Sequence, residues 1–361
     1  MPQDHISLRQ MLSLFFAALL SLAALILPGA TVEAAGKGAW LSSLLALPIA
    51  LALCWVLFAL IEPGEGLAQA YERALGRALG KLVLFLYLVW GVLLLCVSAR
   101  LVALRFLATS YRNGPLGLFV VCLLGVGLWL CRKPLGVLGR TAEVFCLALA
   151  IGLGAVLFFG AFQVEARHVL PLWVEDLPGI GLSVLPVLGL LGWGIFAAFL
   201  AGGGQPGPRD RRRAMLWMTA LCLVLTVLQL VCLGAFGPGL TTRMERPFFM
   251  MVKGIGVDGG FQRVESLVIA LWVLADLALL ALLIEACSVL ARSLFVYRKR
   301  EWGILPLAAL GAVGAMFLFP EAYTLDWLVG KVVLPGNLVF GFLLPLIGLA
   351  GKKLRRFEKR C

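Results

Sequence analysis

The chain of 361 residues is 62% hydrophobic and only 14% charged, with a formal net charge of +12 and a mean hydropathy of +1.01. A water-soluble domain could not bury this much apolar surface, so the composition indicates an integral membrane protein, with the lipid bilayer as its first partner. A positive charge can indicate nucleic-acid binding. In a membrane protein it is better explained by orientation, and we expect no nucleic-acid partner.

Ten apolar runs, separated by charged segments or by Pro and Gly, predict an all-α protein with ten transmembrane helices. These spans, numbered 1 to 10 in chain order, cover about 10–32, 40–61, 81–104, 115–131, 141–162, 183–202, 214–236, 263–290, 303–320 and 333–350. The first run could instead be a cleaved signal peptide, but it is long for one and few positive charges precede it. We therefore interpret it as span 1.

Basic residues are distributed unequally between the two sides of the predicted spans. If the N-terminus is inside, the cytoplasmic segments hold about two thirds of the 31 basic residues. The tail at 351–361 contributes six of these basic residues, and the run RDRRR at 209–213 contributes four. The positive-inside rule then predicts that both termini face the cytoplasm.

Ten spans divide into two sets of five. Because five is odd, the second set begins from the opposite face, so an internal duplication would be inverted. The predicted repeats cover about 10–162 and 183–350 of a single transmembrane domain, 1–361, which ends in the basic cytoplasmic tail. Folds of this kind interrupt the first span of each repeat near the middle of the membrane, where free backbone groups can hold a polar ligand.

Spans 1 and 6 are therefore the candidates for an interrupted helix. Span 6 contains Pro186 and several glycines, among them Gly192 and Gly194 on either side of Trp193. Span 1 fits less well, with Ser21, Ala23 and Ala24 at its centre and Pro28 near its outer end. Glycines in membrane helices can also serve only close helix packing, and both interpretations of Gly192–Gly194 remain open.

Span 8 carries the acidic residue Asp276 in its middle. At 1.5 Å per residue, Asp276 lies about 20 Å from the outer end of the span. A carboxylate at that depth costs about 2.5–3.5 kcal/mol, so it should face protein or a wet cavity. It could bind a cation, a proton or the ammonium group of a ligand. Alternatively, it could be protonated and hydrogen-bonded between helices.

Other polar and aromatic side chains surround this position in the sequence. Glu265 and Trp272 share a helical face with Asp276, and Arg263 lies with Glu265 at the outer boundary. The matching depth of Arg100 in span 3 predicts that it pairs with Glu265. In the same span, Tyr87 could line a pocket or lie at the membrane interface.

No catalytic pattern is present. The chain has no nucleophile elbow, no HExxH and no phosphate-binding loop. Its nine cysteines are scattered without a CxxC pair. We expect no enzyme activity, no metal site and no cofactor.

Several segments resemble the B-type, permease-like subunit of bacterial spore nutrient germinant receptors, a branch of the amino acid–polyamine–organocation superfamily. They are ISLRQ at 6–10, LILP ending at Pro28, the pair Ala39–Trp40, and RPFFMMVKGIGVDGGFQRVESLVIALWV at 246–273. The last is similar to the family pattern of a proline, a basic residue with isoleucine, F-x-x-R-x-E and a tryptophan. Ser21 replaces a common family glycine, and Gly38 replaces an acidic residue.

The resemblance implies a LeuT-like, amino acid permease-like fold that holds a small nutrient, often an amino acid, between spans 1, 6, 3 and 8. It also implies an inner-membrane location in the dormant spore, and A-type and C-type partner subunits. The candidate ligand residues are Ser21, Ala23, Ala24, Tyr87, Gly192, Trp193, Gly194 and Asp276, with Pro28, Arg100, Arg263, Glu265 and Trp272 as structural or gating residues. The alternatives are a stand-alone proton- or cation-coupled amino acid transporter and a scaffold for partner subunits.

Overall fold

The computed structural model describes residues 6–62, 64–109, 114–201, 208–244, 246–254, 264–295, 301–319 and 321–358. Within these ranges the chain folds into helices and contains no strand, which confirms the predicted all-helical class.

The first part of the chain forms six helices in a row. They are α1 (Leu8–Ala35), α2 (Ser42–Leu60), α3 (Leu67–Leu75), α4 (Arg77–Thr109), α5 (Leu116–Cys131) and α6 (Leu135–Ala161). A short 3-10 helix, Gly36–Leu41, joins α1 to α2. Helix α1 begins at a capping box, in which Ser7 accepts a bond from the Gln10 N–H and the Gln10 side chain accepts one from the Ser7 N–H.

The second part begins with shorter elements and then forms four long helical segments. They are α7 (Ala166–Val169), α8 (Leu177–Leu191), α9 (Ile195–Leu200), α10 (Pro208–Thr241), α11 (Pro247–Gly254), α12 (Val264–Leu294), α13 (Glu301–Phe317), α14 (Ala322–Leu328), α15 (Leu334–Leu338) and α16 (Leu344–Glu358). Two π-helical turns, Val329–Val333 and Val339–Leu343, connect α14, α15 and α16.

Seven helical segments of the described residues are long and apolar enough to cross a membrane. The first of them, Leu8–Leu60, has 53 residues and contains both α1 and α2. Helices α5 and α13 are apolar but shorter, with 16 and 17 residues. All ten predicted apolar runs therefore lie in helical segments as far as they are described, while the number of crossings stays a prediction.

The predicted interruption of span 1 is wrong. Helix α1 is continuous from Leu8 to Ala35, through Ser21 at its centre and through Pro28. Proline removes one backbone hydrogen bond of a helix, but packing can hold the remaining turns in place. Here Pro28 is buried, and Thr31 bonds back to the Leu27 carbonyl at 2.7 Å.

The predicted interruption of span 6 corresponds to a mild irregularity. Helix α8 ends at Leu191, a 3-10 turn covers Gly192–Gly194, and α9 follows directly. The backbone of this turn keeps right-handed helical angles, so the helix is wound more tightly here but is not unwound. A true break occurs in α10 instead, where Gly237 has a φ of 71° and its missing side chain leaves room for the His168 ring.

Helix α12 lies at the centre of the bundle and packs against α1, α4, α5 and α6. In its most apolar stretch 72% of the residues are buried, compared with 33% for α6. Since lipid-facing side chains are exposed and protein-facing ones are buried, α12 is an inner helix. Any polar group in its middle must therefore be satisfied by neighbouring helices.

Candidate functional site

Asp276 lies near the middle of α12 and is completely buried, with 0% of its surface exposed. The carboxylate therefore faces protein, which is one of the two surroundings predicted for it. Helices α1 and α4 pack against α12. They supply the side chains that meet the Asp276 carboxylate.

Two polar side chains bind Asp276, and each comes from a different helix. The guanidinium of Arg105 in α4 forms an ion pair with Oδ2, and the hydroxyl of Ser21 in α1 donates to Oδ1. A third contact closes the set, because Arg105 Nη1 donates to Ser21 Oγ at 3.5 Å. We call Ser21, Arg105 and Asp276 the polar triad.

Aromatic rings surround the polar triad. The Arg105 guanidinium lies 5.4 Å from the centre of the Phe249 ring. Trp272 packs against Phe248 and Phe249, with ring centres 4.9 and 5.6 Å apart. In this low-dielectric surrounding an ion pair is strong, but each charge depends on its partner.

A small cavity of about 10 Å³ lies beside the polar triad and is lined by Arg105, Phe249, Trp272 and Asp276 among others. This is the room that one water molecule needs. The Trp272 Nε1–H is buried and has no hydrogen-bond partner among the described residues. Trp272 and Asp276 thus do share one side of the helix, as predicted, while a nutrient molecule would need more space than the structure provides here.

Arg105 was not predicted as the partner of Asp276. The structure pairs the Asp276 carboxylate with this cation of the protein itself, and its contacts connect α12 to α1 and α4. Arg100 is 7% exposed and donates to the Ala315 carbonyl at 3.3 Å. The side chain of its predicted partner Glu265 lies outside the described part of the chain. All of Arg263 lies outside it as well.

The other candidates in span 1 lie deep in the protein. Ala23 and Ala24 are completely buried, as is Ser21, two residues earlier in the chain. They form part of the large apolar core to which α1 contributes most of its length. The hydroxyl of Ser21 is therefore a polar group on an otherwise apolar stretch of α1, and it is bonded to Asp276.

The candidates in span 6 belong to two different surroundings. A methyl group on Gly192 would lie 2.5 Å from the backbone oxygen of Asn337, so this glycine allows close contact with α15. Trp193 is 1% exposed, and its Nε1–H has no hydrogen-bond partner in the described ranges. Gly194 instead packs on Phe15 and lines a larger cavity. For Gly192 these contacts support the close-packing interpretation.

Tyr87 is completely buried within the protein, on helix α4. Its hydroxyl donates to the Phe340 carbonyl at 2.6 Å and lies 2.9 Å from the hydroxyl of Tyr71. Phe340 lies in the second π-helical turn, and its ring packs on Tyr87 with centres 5.5 Å apart. Burial raises the pKa of Tyr71 in α3, so its hydroxyl stays protonated and can keep this bond.

The larger cavity has a volume of about 400 Å³ and lies between the start of α1, the end of α2, α9 and the start of α10. Of the predicted ligand residues, Gly194 lines it. The polar triad is not part of its wall. Gly194 and Asp276 were predicted to lie in one pocket between spans 1, 3, 6 and 8. In the structure they line two separate cavities.

The position of Arg105 carried a signal that sequence reasoning could have used. Arg105 directly follows span 3, and a long arginine side chain can reach a carboxylate several ångströms deeper in the bundle. Depth alone favoured Arg100 as a partner for Glu265. It did not reveal which face of α4 meets α12, because that depends on how the helices pack.

Comparisons with known proteins identify the family. The profile of the family described as "Spore germination protein" matches residues 5–323. The chain is 22% identical over 374 aligned residues to "Spore germination protein KB" of Bacillus subtilis (strain 168), covering 99% of this chain and 98% of that protein. It is 23% identical over 268 residues to "Putative spore germination protein YfkT" of the same organism, covering 72% of each. The match extends over most of the chain, and the protein belongs to the spore germination protein family.

Proposed function

We propose that the protein is a nutrient-sensing subunit of a spore germinant receptor. It binds a small nutrient, such as an amino acid, in the inner membrane and acts together with A-type and C-type subunits. The observation that supports this proposal best is the polar triad, which places a complete ion pair and a hydroxyl among three helices of an apolar bundle. A charged group in such a position is costly and is by default a functional candidate.

The charges of the polar triad match those of a free amino acid. The carboxylate of Asp276 is complementary to an ammonium group, and the guanidinium of Arg105 is complementary to a carboxylate. In the closed arrangement the two side chains neutralise each other. An amino acid that separates them would replace this one ion pair by two, so each buried charge would keep a partner.

Ligand binding at the polar triad requires movement, because the adjoining cavity holds only about one water molecule. Ser21, Arg105 and Asp276 lie on α1, α4 and α12, so a bound nutrient would push these helices apart. We propose that this movement is the signal passed to the partner subunits. A ligand can shift such an equilibrium only by its preference for the open arrangement.

The proposed fold is that of the amino acid permeases, with ten crossings in two inverted sets of five and both termini in the cytoplasm. The helical content, the ten apolar segments and the bias of basic residues support this arrangement. The continuous α1 departs from the usual interrupted first span. Ser21 and its contacts would then take the place of free backbone groups in holding the ligand.

The test uses spores in which this subunit and its partners form the only germinant receptor. We expect that Asp276→Asn and Ser21→Ala abolish or strongly weaken germination by amino acids, because the ligand loses its ammonium partner or the residue that orients it. Glu175→Gln is the matched control, since it removes an exposed carboxylate of the α7–α8 connection. Normal germination of the Asp276→Asn spores, with normal protein levels, would contradict the proposal.

A stand-alone transporter is the second candidate, and Asp276 would then carry the coupled proton or cation. Vesicles that contain the purified chain alone distinguish the two. A receptor subunit is expected to bind amino acids without accumulating them. Gradient-driven accumulation that Asp276→Asn abolishes would establish the transporter and refute the receptor function.

A further inference from the structure

The larger cavity has an apolar interior and a charged mouth. Its interior is lined by Leu12, Phe15, Leu57 and Met218, and Arg9, Glu65, Asp210 and Arg213 lie along one end. At about 400 Å³ it falls within the size range of ligand pockets in proteins. We call it the amphipathic cavity. Like a membrane lipid, it has an apolar part and a charged end.

Small residues on one wall create the space. Gly194, Ala197, Ala198 and Ala201 come from the 3-10 turn, from α9 and from the residue after it. Ala197 and Ala198 are buried, so a larger side chain at either position would extend into the space and reduce it. A cavity of this volume is large enough to hold a ligand.

The mouth of the amphipathic cavity lies beside a dense group of cations. Helix α10 begins there, and its first two turns carry Arg209, Arg211, Arg212 and Arg213, all of them exposed. The acidic residue among them, Asp210, lies 3.7 Å from the Arg213 guanidinium. The run therefore keeps an excess of positive charge at the end of a membrane helix, where it can meet anionic head groups.

Arg9, which lies on a different helix, helps to fix the geometry of the mouth. Arg9 at the start of α1 bonds Glu143 of α6 at 2.7 Å, which ties α1 to α6 at this end of the bundle. Its charge is thus neutralised within the protein. The unbalanced charge comes from the arginines of α10, so the head group of an occupant should lie on that side.

We propose that the amphipathic cavity binds an anionic phospholipid, with one acyl chain inside and the phosphate at the arginine run of α10. The apolar lining would bury methylene groups, each of which strengthens binding. The arginines would supply phosphate partners and select against zwitterionic lipids. The site is separate from the polar triad, and the proposal does not depend on which nutrient is sensed.

The first experiment locates the acyl chain. The purified full-length chain is labelled with phosphatidylglycerol that carries a photoreactive diazirine in its acyl chain, and the labelled peptides are identified by mass spectrometry. We expect labelling of peptides that contain Leu12, Leu57 and Met218. Uniform labelling of lipid-facing peptides, without enrichment of these, would overturn the proposal.

A cavity-filling variant tests the same point independently. Ala197→Phe should reduce labelling of the cavity peptides at least several-fold, while Ala150→Phe on the exposed side of α6 should leave it unchanged. If Ala197→Phe lowers the unfolding temperature too far for use, Ala198→Phe replaces it. Undiminished labelling in a folded cavity-filling variant would show that the lipid binds elsewhere.

The second experiment tests the head group. In competition against the probe, unlabelled phosphatidylglycerol should be much more effective than phosphatidylcholine. Changing Arg209, Arg211 and Arg212 to Gln should reduce that preference by about fivefold for each arginine removed. Equal competition by both lipids in the wild type would overturn the anionic assignment. Displacement of the probe by free amino acids would assign the amphipathic cavity to the nutrient instead.

Discussion

Two of the ion-paired groups among the described residues lie in very different surroundings. In the polar triad the side chains of Arg105 and Asp276 are 4% and 0% exposed. At the end of α2, Glu62 is paired with Arg73 and with Lys352, and the Glu62 side chain is 36% exposed. We call Glu62, Arg73 and Lys352 the end cluster.

Both groups consist of carboxylates paired with cations, but they contribute differently to the stability of the fold. In the end cluster Lys352 Nζ donates to the Ala59 and Leu60 carbonyls at 2.7 and 3.1 Å, which satisfies the last turn of α2. Its charges remain partly solvated, so each is worth little by itself. The charges of the polar triad have no access to solvent, and each one requires its partner.

The largest expected effect comes from breaking the polar triad. Arg105→Met or Asp276→Leu alone leaves one buried charge without a partner, which should lower the free energy of unfolding by about 3–5 kcal/mol. The double variant removes both charges and should recover most of that loss. Thermal unfolding of the four proteins in detergent gives the coupling energy between the two positions. Additive losses would contradict the ion pair.

This prediction also shows what the sequence contained and what it lacked. The depth of Asp276 followed from the helical rise, and its need for a protein partner followed from the cost of a charge in lipid. The identity of that partner depended on the rotation of α4 about its axis, which the near-uniform apolar pattern of span 3 does not specify. Arg105 could not be assigned to Asp276 for that reason.

The predicted interruptions of spans 1 and 6 also depended on how the helices pack. Proline and glycine mark positions where a helix can break, but packing decides whether it does. Pro28 is accommodated in a continuous α1, and Gly192 forms one tight turn against α15. The ten apolar segments were predictable because each depends on local composition, whereas the separation of the polar triad from the amphipathic cavity depends on the whole bundle.

The second prediction concerns close packing. Gly192→Ala should lower the free energy of unfolding by about 1–3 kcal/mol, because the new methyl group meets the Asn337 backbone oxygen at 2.5 Å. Gly154→Ala on α6 is the matched control, since nothing lies within 4 Å of its added methyl group. Thermal unfolding of both variants checks the difference. Equal stability of the two would show that α15 does not pack on the turn.

Tyr87→Phe should have a smaller effect, a loss of about 1 kcal/mol. The variant keeps the aromatic packing with Phe199 and Phe340 but removes the hydroxyl that donates to the Phe340 carbonyl. Hydrogen exchange should then increase at the second π-helical turn, where that carbonyl lies. Unchanged exchange there would mean that the hydroxyl does not stabilise the turn.

Glu62→Gln in the end cluster should have the smallest effect, a loss of about 0.2–1 kcal/mol. The pairs with Arg73 and Lys352 are partly solvated, and Lys352 keeps its bonds to the backbone of α2. The loss should become smaller as salt is added, because solvent ions screen exposed charges. A loss as large as that of Asp276→Leu would contradict the contrast between the two groups.

The most direct test of the account is amino acid binding by the Arg105→Met, Asp276→Leu double variant. This variant should fold, as judged by its unfolding temperature, so a loss of binding cannot be attributed to misfolding. Addition of a germinant amino acid should raise the unfolding temperature of the wild-type chain and leave that of the double variant unchanged. An equal rise in both proteins would contradict the claim that the polar triad senses the nutrient.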